Sequence, residues 1–269
     1  MHSVQLRTLI LGCLVSLLTQ LASAYETPVV TATTPVVPQS GIFIGNSFFY
    51  NNNSMHTHLR NIMLADPSRL PFRSTSVTIS GSGLDWHNVE AYFAPNGVGR
   101  YSFVGDNEIK FNNQAQLFDI AILMDCSQCP IHPVLKNIFT EYVKKHGDTV
   151  RKHGADPVLF MSWAYADKPE MTEPLADAYI KAGNANQMLV IPAGLAFARS
   201  IKLRPELNLY APDKRHPSLA GTYLGAAVVY ASIFKRSPVG NSYTADLDPG
   251  TVQYLQTVAW ETVQAFYRQ

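Results

Sequence analysis

An α/β fold, with a parallel sheet covered by helices on both faces, is what this sequence predicts. Three observations lead there. Short, continuous apolar runs recur along the chain. Segments with apolar residues at helical spacing lie between them. The composition, 46% aliphatic and aromatic against 15% charged, suits a chain that buries a core rather than a disordered one. Runs that are apolar throughout, rather than alternating, belong in strands shielded on both sides. Their alternation with helices makes the sheet parallel.

Residues 41–45 (GIFIG) read as the first buried strand, and 54–65 are compatible with a helix. Residues 74–80 (STSVTIS) are rich in β-branched side chains and end at Gly81-Ser82-Gly83, a second strand. Residues 119–124 (DIAILM) form a third, followed by Asp125. The segment 134–153 places Val134, Leu135, Ile138, Tyr142 and Val143 on one helical face. Residues 157–163 (PVLFMSW) and 187–191 (QMLVI) supply the fourth and fifth strands. Two more helices follow over 218–234 and 251–267, the latter with Val252, Leu255, Val258, Ala259 and Phe266 at helical spacing. No internal repeat interrupts this pattern, and one domain over 41–269 accounts for it.

The first 40 residues read differently. Arg7, an apolar stretch to Leu21 and the small-residue pattern Ala22-Ser23-Ala24 describe a secretory signal peptide over 1–24. Residues 25–40 (YETPVVTATTPVVPQS) carry three prolines and no helical period, so an extended linker is expected. Secretion or export to a periplasm follows. Lys and Arg total 21 and Asp and Glu total 20, without the basic excess of a nucleic-acid binder. After the signal peptide no apolar run reaches the roughly 20 residues of a membrane span.

Removal of the signal peptide also removes Cys13 and leaves Cys126 and Cys129, spaced C-x-x-C. In an oxidising compartment these are expected to pair as a disulfide. A redox-active dithiol is the alternative. Zinc is disfavoured because no second cysteine pair completes a set of four ligands.

Ligands of open α/β sheets bind beyond the carboxyl ends of the strands, so the residues just after each run carry the chemistry. Ser47 follows the first run in Ile44-Gly45-Asn46-Ser47-Phe48. A serine there is either a helix cap or a presented hydroxyl. Near the other end, Asp213-Lys214-Arg215-His216 places an acid three residues before an imidazole, just ahead of a helix. A serine nucleophile needs a base, and the base needs a partner that fixes its tautomer.

Together Gly45-Asn46-Ser47 and Asp213-Lys214-Arg215-His216 resemble two motif blocks of the SGNH (GDSL-type) hydrolases, with Asn46 in place of the usual aspartate. IGNSFFYNN, PVLFMSWAY and DKRHPSLAGTYL are similar to a bacterial branch of that family. The resemblance implies a three-layer α/β/α sandwich on a mostly parallel, five-stranded, flavodoxin-like sheet. It implies Ser47 as nucleophile, His216 as base and Asp213 as its orienting partner, with no metal or organic cofactor. It implies an oxyanion hole from the backbone N–H groups of Ser47 and of Gly81 or Gly83, Gly81 being favoured. The family's third block, G-x-N-D, is not matched: Asp125-Cys126-Ser127-Gln128 stands there, and either Ser127 or Gln128 is the expected substitute for the asparagine.

His87, Trp163 and Tyr165 are candidates to line the rim and contact substrate, or else are packed and hydrogen-bonded inside. His56 and His58 form an H-x-H pair, either a metal-binding pair or, as expected, part of a solvated helix face, and Asn52-Asn53-Ser54 is an N-x-S sequon. The expected function is a secreted serine esterase acting on a small-molecule or carbohydrate ester, O-acetyl groups included. A non-catalytic glycan- or ligand-binding protein on the same scaffold is the alternative.

Overall fold

Why the apolar runs end up side by side is plain from their burial. In the computed structural model, which describes residues 25–112 and 116–268, strand β1 (Ser40–Gly45) is buried along its whole length. Ile42, Phe43 and Ile44 have no exposed surface. It pairs in parallel with β2 (Arg73–Thr78) on one side and with a later strand, residues 120–123, on the other. Between them the chain makes α1 (Ser47–Tyr50), α2 (Met55–Ala65) and, after β2, α3 (Val89–Phe93). It then forms an antiparallel hairpin of β3 (Tyr101–Gly105) and β4 (Glu108–Phe111), exposed throughout.

Strands β5 (Ile120–Leu123), β6 (Asp156–Phe160) and β7 (Leu189–Ile191) complete a five-stranded sheet in the order β2-β1-β5-β6-β7. Every pairing in it is parallel. The crossover from β1 to β2 steps one way along the sheet, and those from β5 to β6 to β7 step the other. Right-handed crossovers therefore put α2 on one face and α4 (Leu135–Lys152) and α5 (Thr172–Ala185) on the opposite face. Helices α6 (Ala193–Leu203), α7 (Leu219–Phe234) and α8 (Pro249–Tyr267) join the α2 layer, with α7 packed between α2 and α8.

Helix α7 carries almost nothing but Ala, Gly, Val, Leu, Tyr and other small or apolar residues, and every residue from Ala220 to Phe234 is buried. A helix apolar all round has no face to offer water, so it takes the inner position. Ser218 caps it by accepting the Gly221 N–H.

Residues 25–39 contain no regular secondary structure. They lie against the body: the Val29 N–H donates to Asn184 Oδ1 (2.8 Å), the Thr34 N–H to Asp156 Oδ2 (2.8 Å) and the Gln39 N–H to Asp119 Oδ2 (2.7 Å). The signal-peptide segment 1–24, with Cys13, lies outside the described residues. No described helix is long and apolar enough to cross a membrane.

The strand register lines up the carboxyl ends. Gly45 pairs with Thr78, Ile44 with Leu123, Leu123 with Leu159, and Leu159 with Val190. The loops after β1, β2 and β5 thus open on one rim, where the residues singled out above reside.

Candidate active site

Ser47 is the first residue of α1, directly after the buried strand β1. Gly45 is needed for space: a Cβ there would come within 2.9 Å of the Phe49 ring. Asn46 caps α1 by accepting the Phe48 N–H through Oδ1. Its Nδ2 donates to the carbonyls of Ser82 (2.9 Å) and Asp125 (3.2 Å), tying together the loops after β1, β2 and β5. An ionised aspartate has no hydrogen to give either carbonyl, so the amide at this position has a structural use of its own.

The loop before α7 brings the imidazole. Lys214 takes a left-handed conformation (φ 65°), which makes the Asp213-to-His216 turn tight. Asp213 Oδ1 accepts the backbone N–H groups of Arg215 and His216, both at 3.0 Å, and Oδ2 accepts from His216 Nδ1. The hydrogen bond with His216, together with those two N–H donors, pulls the Asp213 carboxyl down to about 2. An ionised carboxylate can only accept, so Nδ1 carries the ring hydrogen and Nε2 presents its lone pair. Ser47 Oγ lies 2.8 Å from that Nε2, across 169 residues of chain. Phe48 meets the imidazole edge-on at 5.4 Å.

Asn52, in the turn after α1, was not singled out by sequence reasoning except as part of a sequon. Its Nδ2 donates to the Pro217 carbonyl and to Thr222 Oγ1, each at 2.8 Å. This side chain links the element carrying Ser47 to the loop carrying His216. The run of asparagines and its positive φ values (53° at Asn52, 66° at Asn53) are the local signal for such a turn.

Ser47 and His216 open on a cavity of about 510 Å³. Gly81 lines it in a left-handed conformation (φ 71°), with nothing within 4 Å of where a Cβ would sit. Gly83 does not line it: it is buried, and a Cβ there would strike Asp85 and Asp125 carboxylate oxygens at 2.6 and 2.8 Å. Only the first of the two candidate glycines therefore faces the site. Ser127 and Gln128 both line the cavity and both bond to the Tyr165 hydroxyl. Cys126 and Cys129 are joined in a disulfide, Cα atoms 5.2 Å apart, that closes the turn carrying those two side chains. Arg215, absent from the sequence-based candidates although it sits inside the Asp213–His216 block, lines the cavity and packs over the Tyr165 ring at 5.0 Å.

Asp125 stands behind this rim. Its Oδ1 accepts the N–H groups of Leu84 (2.9 Å) and Cys126 (2.7 Å), bracing the second loop against the third. Burial pushes its carboxyl up to about 6.

Two expected substrate-lining residues do not reach the rim. Trp163 has no exposed surface; it is stacked between Phe48 and Phe197, and its Nε1–H donates to the Arg215 carbonyl. It supports the histidine loop from beneath. His87 is buried under the second loop, with Nε2–H donating to the Gly45 carbonyl at 3.0 Å and Nδ1 beside the Tyr92 hydroxyl at 3.2 Å. Burial first, and then the neighbouring His146, lower its pKa to about 4, so it is a neutral packing group. His58, expected on a solvated face, is also buried, its ring nitrogens engaged by the Asn52 carbonyl and the Tyr243 hydroxyl. His56 bonds Ser54.

No protein-family model matches the chain, and no curated protein matches it. Solved structures do. A DUF4886 family protein from Bacteroides uniformis superposes with a TM-score of 0.62 at 17% identity, over 85% of this chain and 95% of that one. A protein from Slackia heliotrinireducens described as a candidate SGNH hydrolase gives 0.53 at 20% identity, over 72% and 98%. The fold is that of the SGNH hydrolases. The acetylxylan esterase Axe2 from Geobacillus stearothermophilus shares it, with a TM-score of 0.51 at 14% identity over 72% of this chain and 93% of that one. Within the SGNH fold the rim used by Ser47, Gly81 and His216 is the one where a switch-point site is expected.

Proposed function

We propose that the protein is a serine ester hydrolase, working through an acyl-enzyme on Ser47. The observation that carries this reading is the 2.8 Å contact between Ser47 Oγ and His216 Nε2, with Asp213 behind the ring. His216 Nε2 takes the serine proton as Oγ bonds to the ester carbonyl carbon. Charge forms on the carbonyl oxygen, and the backbone N–H groups of Ser47 and Gly81 receive it. The imidazolium, held by the ionised Asp213, returns its proton to the leaving alcohol. Water, activated by the same nitrogen, then releases the acid and restores Ser47.

Carboxylic esters are the substrate class, with O-acetyl groups on carbohydrate the favoured member. The shared fold with an acetylxylan esterase and the open, mixed polar and apolar cavity support that choice. Export to a periplasm or the medium is supported by the pattern of residues 1–24 and by the Cys126–Cys129 disulfide. The lost asparagine of the third block favours a second reading, a binding protein on a catalytic scaffold. Turnover of short-chain esters and acetylated sugars by wild type and Ser47→Ala separates the two. The esterase loses activity by about 10⁴-fold or more and loses its fluorophosphonate label. Equal rates in both proteins end the proposal.

A further inference from the structure

The loop after β5 lacks an asparagine amide, but its side chains are not short of hydrogen. Ser127 Oγ lies 2.6 Å from the Tyr165 hydroxyl oxygen, and Gln128 Nε2–H donates to that same oxygen across 2.8 Å. All three residues line the cavity shared with Ser47 and Gly81.

Counting hydrogens locates a donor. The cluster holds two hydroxyl protons, and the Ser127–Tyr165 contact uses one of them. Gln128 supplies an N–H to the Tyr165 oxygen and accepts nothing through that nitrogen. Among the described residues neither hydroxyl has another partner. One hydroxyl proton is left over, and the cavity is the space open to it. The tyrosine hydroxyl is the deeper of the two, and its oxygen already accepts the Gln128 amide, which polarises it as a donor. It therefore donates to Ser127 Oγ, and the serine's own proton turns outward. Exposure agrees: Tyr165 is 4% exposed, whereas Ser127 is half-buried at the rim. The Arg215 guanidinium over the Tyr165 ring and the disulfide flanking Ser127 and Gln128 hold the chain of groups in place.

We infer that the Ser127 hydroxyl is the third oxyanion donor, and that Tyr165 and Gln128 are positioning residues that aim its proton into the cavity. A relayed hydroxyl thus stands where the family's motif has an amide. No proton is transferred at this contact; the hydroxyl lends a hydrogen bond to the oxygen that gains charge as Ser47 Oγ bonds to carbon. The inference rests on Ser47 being the nucleophile.

The test is kinetic, on a short-chain aryl ester, with thermal melts to confirm that each variant folds. Ser127→Ala lowers kcat by about 100- to 1000-fold while KM changes little, the pattern of an interaction made only in the transition state. Tyr165→Phe lowers kcat by about 10-fold, the worth of one hydrogen bond. Ser127→Thr, which keeps the hydroxyl, restores most of the rate. The double variant Ser127→Ala/Tyr165→Phe is no slower than Ser127→Ala alone, because Tyr165 acts through Ser127; a merely structural tyrosine would add its own loss. A folded Ser127→Ala with kcat within about twofold of wild type overturns the inference while Ser47 labelling leaves the esterase reading intact. A wild type that neither labels nor turns over esters overturns both.

Discussion

Asp213 is the residue on which the chemistry of His216 turns. Its side chain is 46% exposed, yet its carboxyl sits at about 2 because imidazole and backbone N–H groups converge on it. It thus stays ionised at and well below neutral pH. The tautomer that points a lone pair at Ser47 is therefore constant, and Asp213 adds no ionisation of its own to the rate profile near neutrality. Asp213→Asn keeps the shape and presents a neutral amide, leaving the imidazolium without its counter-charge. The expected loss in kcat is about 10³- to 10⁴-fold with KM nearly unchanged, read by steady-state kinetics. A loss under tenfold would show that the acid is dispensable. The pairing of Asp213 with His216 was legible because acid and base lie within one short loop. The burial of Trp163 and His87 was not legible, since an aromatic or imidazole after a strand looks the same in sequence whether it faces the rim or the core. What decides is which neighbours stack on it, here Phe48 and Phe197, which come from distant segments.

At the scale of elements, Asn52 couples the turn after α1 to the start of α7. Because it already adopts a left-handed backbone, Asn52→Gly removes the amide without adding strain. Two hydrogen bonds of about 1 kcal/mol each are lost, so the melting temperature falls. The Ser47–His216 alignment loosens, with kcat down about 10-fold; unchanged melting and unchanged turnover would refute the coupling. Four of the five strands were legible as apolar runs because strands buried on both faces have nowhere to put polar side chains; β2, half-buried at the sheet edge, was legible from its β-branched residues instead. The hairpin β3–β4 escaped notice for the opposite reason. It is exposed on every residue, so no burial pattern marks it. Helices α5 and α6 mix small, polar and apolar residues and have weaker faces than α4, which is why the interval after 163 showed only one strand.

The whole molecule answers to Asp125. Its folded-state carboxyl is raised to about 6 by burial, from an ordinary value of 3.8. The folded protein therefore holds this proton more tightly than the unfolded chain does. Stability from this group is present in full below about pH 4 and is lost as pH rises through about 6. Asp125→Asn keeps an Oδ1 acceptor for the Leu84 and Cys126 N–H groups and cannot ionise. The difference in melting temperature, variant minus wild type, should grow between about pH 4 and pH 6 and then level off. A difference that stays flat across that interval would dispose of the assignment.

The hydroxyl of Ser47 leaves the ribosome early, and its imidazole partner is made 169 residues later. The two cannot meet until the loop bearing His216, which leads straight into α7, the innermost helix of its layer, has been made and has docked against the turn carrying Asn52. On the proposed mechanism, reactivity toward esters therefore waits for a nearly complete and folded chain.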